Sequence, residues 1–210
     1  MMTHRIESIF EIWAQQNPHP RCELDYKTDF ELLIAVMLSA QATDHSVNQV
    51  TPALFKAAKT PQSMAALGEL NLREMIKRIG LFRSKAKHII QTCTILCSQH
   101  QGQVPQTREA LEALPGVGRK TANVVLNTAF GLPTIAVDTH VARVSQRLQF
   151  SKSKTPLSIE QSLYRCIPKH YLQHAHHWMI LHGRYTCKAR KPNCSQCCIQ
   201  HHCPYLHKTT

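Results

Sequence analysis

The chain of 210 residues has 25 lysines and arginines against 13 aspartates and glutamates, a formal net charge of +12, and 43% hydrophobic residues. This length and apolar content exclude a disordered tail and predict one or two domains with a sizeable core. The excess of positive charge favours a polyanionic partner, most simply nucleic acid.

The spacing of apolar residues is helical along nearly the whole chain and predicts an all-α protein. A first helix carries Ile6, Ile9, Phe10 and Trp13 on one face, and a second, capped by Asp29, forms a buried apolar helix to about Ser39. Further helices are expected, in chain order, around residues 47–54, 72–79, 84–97, 107–114, 122–129, 141–148, 157–167 and 171–182. Asn71 with Glu74 is the predicted capping box of one of them, Gly80 its end, and Ser84 the start of the next.

The sequence predicts neither a membrane partner nor export. No apolar run approaches the ~20 residues that a membrane helix needs, and the first residues lack the apolar stretch and cleavage site of a secretory signal. We therefore expect a cytoplasmic protein whose nine cysteines are reduced rather than paired in disulfides.

Residues 114–122, LPGVGRKTA, join two predicted helices through a glycine loop. Glycine permits positive φ and close approach of another backbone, and the free N–H groups at the start of the next helix suit a phosphate oxygen. DNA-backbone contacts are therefore predicted for Gly116, Val117, Gly118 and Arg119, with Lys120 adding charge. Such contacts would hold DNA without reading its sequence. The alternative is an ordinary helical hairpin with no ligand.

Four cysteines near the end of the chain, Cys187, Cys194, Cys197 and Cys203, have the spacing C-x6-C-x2-C-x5-C. In a reducing compartment this pattern predicts a metal or cluster site, and both zinc and iron–sulfur clusters take four thiolates. Spacing alone leaves open a Cys3His zinc site, as well as the choice between Cys197 and its neighbour Cys198. The loop between the first two cysteines presents Lys188, Arg190 and Lys191, either a second phosphate-binding patch or a solvated surface.

Several motifs together resemble the endonuclease III family of DNA repair glycosylases over nearly the whole chain. They are LPGVGRKTANVVLNTAFG followed by PTIAVDTHVARV, HHWMILHGRYTC leading into the cysteines, SAQATD near position 40 and IGL near position 80. The resemblance implies two helical domains flanking a DNA-binding cleft. Residues 22–132 would form a six-helix barrel with a helix–hairpin–helix at about 108–127. Residues 1–21 and 133–210 would form the domain that holds one [4Fe-4S] cluster.

The resemblance also implies base excision repair: removal of oxidised pyrimidines from duplex DNA, then β-elimination 3′ to the abasic site through a lysine Schiff base. Lys120 would be the nucleophile and Asp138 the essential carboxylate. Cys187, Cys194, Cys197 and Cys203 would hold the cluster, which favours Cys197 over Cys198. Gln41 and Leu81 would fill the gap left by the extruded base. The expected partner is double-stranded DNA with damaged pyrimidines or abasic sites, bound by a monomer.

These roles have simpler alternatives in the residues themselves. Lys120 must attack as a neutral amine, so we expect its burial in the cleft to favour loss of the proton. Asp138 could instead be only the N-cap of the helix that starts at Thr139, and His140 could contact phosphate or lie on a helix surface. Two rival functions are a monofunctional adenine-mismatch glycosylase, which typically lacks lysine at the position that matches Lys120, and a redox- or metal-sensing DNA-binding protein without catalysis.

Overall fold

The structure is a computed structural model that describes residues 2–209, apart from the side chains of Met2 and Thr3. Every regular element among these residues is helical, so the predicted all-α fold class is confirmed. No helix in the described part of the chain is long and apolar enough to cross a membrane.

Eleven α-helices follow one another in the residues that the structure describes. They are α1 (Met2–Gln16), α2 (Asp29–Ser39), α3 (Asp44–Ala57), α4 (Pro61–Leu67), α5 (Glu69–Met75), α6 (Phe82–Gln99), α7 (Arg108–Glu112), α8 (Arg119–Phe130), α9 (Thr139–Arg147), α10 (Pro156–Cys166) and α11 (Leu172–Leu181). Two 3₁₀ turns, Lys169–Tyr171 and Gln200–His202, and one π-helical turn, His182–Thr186, complete the regular structure there.

The chain divides into two compact units. The middle unit runs from Glu23 to Phe130, and the terminal unit combines the residues before and after it. The middle unit holds α2 to α8, seven helices where the resemblance implies six, and Gly68 separates the short helices α4 and α5.

Helix α2 forms the centre of the middle unit. Its residues 32–38 are at most 5% exposed, which confirms the predicted buried helix, and α3, α6 and α8 pack against it. Burial on all sides explains why this helix has no polar face.

The caps of the middle-unit helices differ in places from the predictions. Thr28, not Asp29, caps α2, since its hydroxyl accepts from the Glu31 N–H at 3.2 Å. Asn71 lies inside α5 instead of starting a helix, because α5 already begins after Gly68.

The boundaries predicted at Gly80 and Ser84 also differ from those of the structure. Helix α5 ends at Met75, and α6 begins at Phe82 with Leu81 as its N-cap residue. Gly80 therefore lies in the loop between these helices, and Ser84 lies within the first turn of α6.

The terminal unit is built around an aromatic cluster that joins α1 to helices far along the chain. The Phe10 ring lies 5.1 Å from Trp13, 5.9 Å from Phe150 and 5.7 Å from Tyr171, measured between ring centroids. Trp178 adds a hydrogen bond from its indole N–H to the Asn17 carbonyl at 2.8 Å. Aromatic pairs at these distances stabilise beyond their buried area, so this cluster holds the N-terminal helix against the C-terminal part of the chain.

Candidate functional site

The glycine loop joins α7 to α8 as a helical hairpin, as predicted. Thr107 caps α7 through a hydrogen bond from the Ala110 N–H at 3.3 Å, and the Gly118 carbonyl accepts the first bond of α8, from the Ala122 N–H at 2.9 Å. The buried Asn123 accepts a hydrogen bond from Arg108 Nε at 3.0 Å and so ties the two helices together. Sequence reasoning missed this pair, because an asparagine within a helix carries no distinctive signal.

The two glycines of the loop have different reasons to be glycine. Gly116 has a φ of +77°, and a Cβ there would lie 2.9 Å from the Cβ of His88 on α6. Gly118 is outside the left-handed region, and a Cβ there would meet nothing within 4 Å. The Thr92 hydroxyl, also on α6, donates to the Pro115 carbonyl at 3.0 Å. Helix α6 therefore supports the loop from behind, while Gly118 faces open space.

Lys120, the predicted nucleophile, is the second residue of α8 and its side chain is exposed. The expected burial was wrong, because the buried face of α8 is made by Ala122, Val125 and Leu126 instead. Its neighbour Arg119 lies 3.9 Å from the Glu112 carboxylate and so pairs with α7 across the hairpin.

Asp138, the predicted carboxylate, is the N-cap of α9 and is partly exposed. Its Oδ1 accepts a hydrogen bond from the Val141 N–H at 2.8 Å, which confirms the capping role. That bond fixes the carboxylate at the positive end of the helix and leaves Oδ2 without a partner among the described residues. The cap and a chemical role are therefore compatible.

His140 is partly exposed in the first turn of α9. Its Nδ1 lies 3.2 Å from Arg143 Nη2, and Arg143 in turn donates to the Gly183 carbonyl at 2.6 Å. A Cβ on Gly183 would lie 2.9 Å from the His140 Cβ. Gly183 thus allows the π-helical turn to pack directly on α9 and fixes the position of His140.

Gln41 and Leu81, the predicted gap-filling residues, share an unusual backbone. Both are exposed and left-handed, with φ of 56° and 60°. The left-handed region disfavours residues with a Cβ, and such conformations persist where the surrounding structure imposes them. Gly80 neighbours the Gln41 loop, because a Cβ there would be at van der Waals distance, 3.7 Å, from the Gln41 carbonyl oxygen.

The two other non-glycine residues with positive φ in the described part, Gln101 and Gln149, end helices. The residue after each donates its N–H back into the preceding helix, at 2.8 Å to Leu96 and to Ser145 respectively. Left-handed residues with this bond are ordinary helix C-caps. Helix capping does not account in this way for Leu81, because Leu81 precedes its helix and N-cap residues are normally extended. Gln41 lies in a turn at the end of α2, in which the Ala42 N–H donates to the Ser39 carbonyl at 3.0 Å.

The four predicted cysteine ligands line a single cavity. Leu148, His182 and Tyr205 contribute to the same cavity, whereas Cys198 does not. Burial, together with the neighbouring thiols at 198, 203 and 187, raises the pKa of the Cys197 thiol to about 11. A metal or cluster would provide the positive charge that deprotonated thiols need in such a buried place.

Two kinds of metal site take four thiolates, a single zinc ion and an iron–sulfur cluster. Zinc holds four sulfurs about 2.3 Å from a single point. In the part of the chain that the structure describes, no group of three or more His, Cys, Asp or Glu side chains is placed to hold a metal ion. Four thiols around one cavity suit the larger [4Fe-4S] unit.

The basic loop, residues 188–191, is held at its base by α9. Arg147 donates to the carbonyls of Lys188 at 2.7 Å and Ala189 at 2.9 Å, and to the Cys187 sulfur at 3.2 Å. The side chains of Lys188, Arg190 and Lys191 are exposed. The loop therefore presents three cations on a fixed backbone next to the cysteine cavity.

Comparison with known proteins gives the chain's relatives. A family model described as HhH-GPD superfamily base excision DNA repair protein matches residues 34–169. Endonuclease III of Haemophilus influenzae is 56% identical over 206 residues, which cover 98% of this chain and 97% of that protein. Endonuclease III of Escherichia coli is 57% identical over 204 residues, covering 97% and 96%.

A solved structure is also similar in fold along nearly the whole chain. It is that of a trapped endonuclease III–DNA covalent intermediate with an estranged adenine, and it superposes with a TM-score of 0.91 at 46% identity. The match covers 97% of this chain and 96% of that one.

Proposed function

The chain belongs to the HhH-GPD superfamily of base excision DNA repair proteins, and we propose that it is a bifunctional DNA glycosylase and abasic-site lyase. It removes oxidised pyrimidines from duplex DNA and then cleaves the strand 3′ to the abasic site. The observation that carries this proposal is the exposed amine of Lys120 in the first turn of the hairpin helix α8. The covalent DNA complex of a relative at 46% identity supports a covalent route.

The DNA backbone is held by the hairpin and the basic loop. The positive end of α8 and the open space beside Gly118 let a phosphate approach the backbone at Gly118. The Val117 N–H is already bonded to the Leu114 carbonyl, at 3.1 Å, so Val117 would contact DNA by other atoms. Arg119 adds positive charge there. In the terminal unit, His140 and the exposed Lys188, Arg190 and Lys191 provide further phosphate contacts.

A base inside a duplex is out of reach, so its nucleotide must be extruded at a cost of a few kcal/mol. Leu81 is 56% exposed at the tip of its loop and provides an apolar wedge for the gap. The exposed amide of Gln41 can hydrogen-bond the base that has lost its partner. Filling the gap offsets the cost of extrusion.

Lys120 performs the covalent step. Its neutral amine attacks C1′ of the extruded sugar, a bond forms between Nζ and C1′, and the bond from C1′ to the damaged base breaks with its electron pair leaving on the base. The nitrogen then loses one of its two protons, and the bond from C1′ to the ring oxygen breaks as that oxygen takes up a proton, which gives an iminium that keeps the other proton on nitrogen. A proton then leaves C2′, and the electrons expel the 3′ phosphate oxygen. The amine is exposed in the free protein, so it is open to the sugar of a bound duplex.

Asp138 acts on the charges that these steps create. The capping bond through Oδ1 holds the group still, while Oδ2 remains available to stabilise the cationic sugar or to accept the proton of the amine. Removal of its charge without loss of the cap would distinguish this role from capping alone.

The C-terminal cysteines of the chain are consistent with one [4Fe-4S] cluster. Cys187, Cys194, Cys197 and Cys203 would hold it, since these four line the common cavity. When bound, the cluster supplies folding free energy to a segment with few apolar residues of its own, and it keeps the basic loop in shape.

We place the enzyme in the bacterial cytoplasm, where it meets DNA as a monomer. The endonuclease III relatives are bacterial proteins, and all nine cysteines of the chain are free of disulfides. Reduced thiols are typical of that compartment.

A borohydride trap tests the proposed function. Wild-type protein should form a reduced covalent adduct with duplex DNA that contains thymine glycol or an abasic site, and should cleave the strand. Lys120→Gln should form no adduct but keep measurable binding to damaged DNA, while Lys152→Gln, a matched change of an exposed lysine, should behave as wild type.

The trap, repeated with a duplex that contains an adenine mismatch, separates the rival functions. Binding by the wild type without adduct or cleavage would favour a DNA-binding sensor. Release of adenine from a mismatch without an adduct would favour a monofunctional mismatch glycosylase.

A further inference from the structure

Lys85 is a buried lysine that the proposed chemistry does not use. It lies in the first turn of α6, it is 7% exposed, and its Nζ donates a hydrogen bond to the Leu38 carbonyl at 2.8 Å. It forms no ion pair with a carboxylate in the described part of the chain. Burial lowers the pKa of Lys85. Burying an ammonium with a neutral partner is costly, so a specific role at this place is needed to explain it.

The Leu38 carbonyl belongs to the last turn of α2, where backbone oxygens have no partner within the helix. A cation at a helix C-terminus satisfies such an oxygen and interacts favourably with the helix dipole. Lys85 therefore works as a C-terminal cap for α2 that is supplied by another helix.

This cap connects the bases of the two loops that carry Gln41 and Leu81. Gln41 follows Leu38 by three residues, and the Lys85 backbone N–H donates to the Leu81 carbonyl at 3.0 Å. One residue thus bonds to Leu81 through its backbone and to the base of the Gln41 loop through its side chain. Gly80, next to Leu81, also neighbours the Gln41 loop, since a Cβ at position 80 would be at van der Waals distance, 3.7 Å, from the Gln41 carbonyl oxygen.

We propose that Lys85 is a positioning residue that sets the Gln41 and Leu81 loops at a fixed separation, so that both side chains enter a duplex together at an extruded nucleotide. This inference rests on the proposed function. In this role Lys85, which is buried, acts on the DNA only through the two loops. Both loops have strained, exposed tips, and a rigid connection at their base limits the entropy lost when they are inserted.

The role predicts a loss that depends on the DNA used. In a duplex, a gap must be filled and an orphaned base must be contacted, so misplaced loops slow the reaction. In a single-stranded oligonucleotide with one abasic site, there is no partner base and no stack to replace. A general loss of folded enzyme would lower both rates by the same factor.

The test compares Lys85→Met with wild type in single-turnover strand cleavage on both substrates. Methionine keeps the volume of the side chain but removes the donor. We expect the rate on thymine-glycol duplex to fall about tenfold or more, while the rate on the single strand stays within about twofold. Lys87→Met, which removes an exposed lysine two residues away on the same helix, should change neither rate.

A combined variant makes the test independent of folding yield. If Lys85 acts only through the two loops, then Lys85→Met should cost little on the duplex once Gln41→Ala and Leu81→Ala are both present, whereas independent effects would multiply. Equal losses of Lys85→Met on both substrates, or multiplied losses in the combined variant, would overturn the proposal. If Lys85→Met does not fold, Lys85→Gln is tested in its place by the same comparison of the losses in rate on duplex and on single-stranded DNA. The shorter amide of glutamine cannot reach Leu38 without moving the loops. An inactive wild type would instead refute the proposed function.

Discussion

Gly116 and His88 approach so closely that the hairpin loop has no room for a side chain at position 116. A Cβ there would lie 2.9 Å from the His88 ring nitrogen Nδ1, and the φ of +77° is itself unfavourable for any residue but glycine. We therefore expect Gly116→Ala to lower the free energy of unfolding by about 1–3 kcal/mol. Urea unfolding followed by circular dichroism measures the change, and stability equal to wild type would contradict this loop geometry.

Gly118→Ala should preserve the stability of the protein but weaken its binding to DNA. A Cβ at this position meets nothing in the protein and the backbone is not left-handed, so stability should stay the same or rise by up to about 1 kcal/mol. Affinity for duplex DNA should nevertheless fall, because the added methyl group occupies the space that a phosphate would enter. Titration of labelled duplex at fixed salt checks this. Unchanged affinity would remove Gly118 from the proposed DNA contacts.

Gly116 and Gly118 show which features of the loop the sequence could predict and which it could not. The loop and the helices that flank it were predicted from residue types and spacing alone. The requirement for glycine at position 116 depends on His88, which lies 28 positions earlier than Gly116 on another helix. No local pattern contains a contact between segments that distant.

Substitution of Asp138 separates its capping role from its chemical role. Asp138→Asn would keep the cap, because asparagine is as good an N-cap as aspartate, but would remove the negative charge. We expect this variant to retain the thermal stability of wild type and to lose at least about a hundredfold in the rate of base removal. Single-turnover kinetics and a melting curve measure the two effects.

Asp138→Ala is the matched comparison, since it loses the cap as well. It should be about 1 kcal/mol less stable than the asparagine variant and equally slow. If Asp138→Asn were as fast as wild type, the residue would be a helix cap only.

The cysteine pair at 197 and 198 provides a test of the cluster ligands. Cys197 lines the common cavity and Cys198 does not. Protein purified under anaerobic conditions should contain about four irons per chain, and Cys198→Ser should keep them. Cys197→Ser should lose most of the iron. Iron and sulfide assays give the result, and the reverse pattern would exchange the two residues.

Other parts of the fold could not be derived from the sequence for identifiable physical reasons. Helices α4 and α5 have seven residues each, too few for a clear apolar period, so one was missed and the start of the other was misplaced. Lys85 and Lys87 belong to the same predicted helix, yet only Lys85 is buried, because its partner is a carbonyl on α2. The left-handed backbone of Leu81 could not be predicted either, since leucine has no tendency toward that conformation.

Acid should destabilise the terminal unit through His177. Burial lowers the pKa of this histidine to about 4, and the nearby His174 contributes. In the unfolded chain a histidine titrates near its ordinary value of about 6.5, so between about pH 6.5 and 4 the unfolded state binds the extra proton. The stabilisation is complete above this window and is lost as the pH falls through it, by roughly 3 kcal/mol at the lower end.

The midpoint of thermal unfolding, measured from pH 7.5 to pH 4.5 in equal buffers, should fall less steeply for His177→Gln than for wild type. His45→Gln removes an exposed histidine and should keep the wild-type slope. Acid damage to the cluster would affect all three proteins alike, so the difference in slope isolates the buried imidazole. Parallel curves for His177→Gln and wild type would show that His177 binds its proton equally well in the folded and unfolded states.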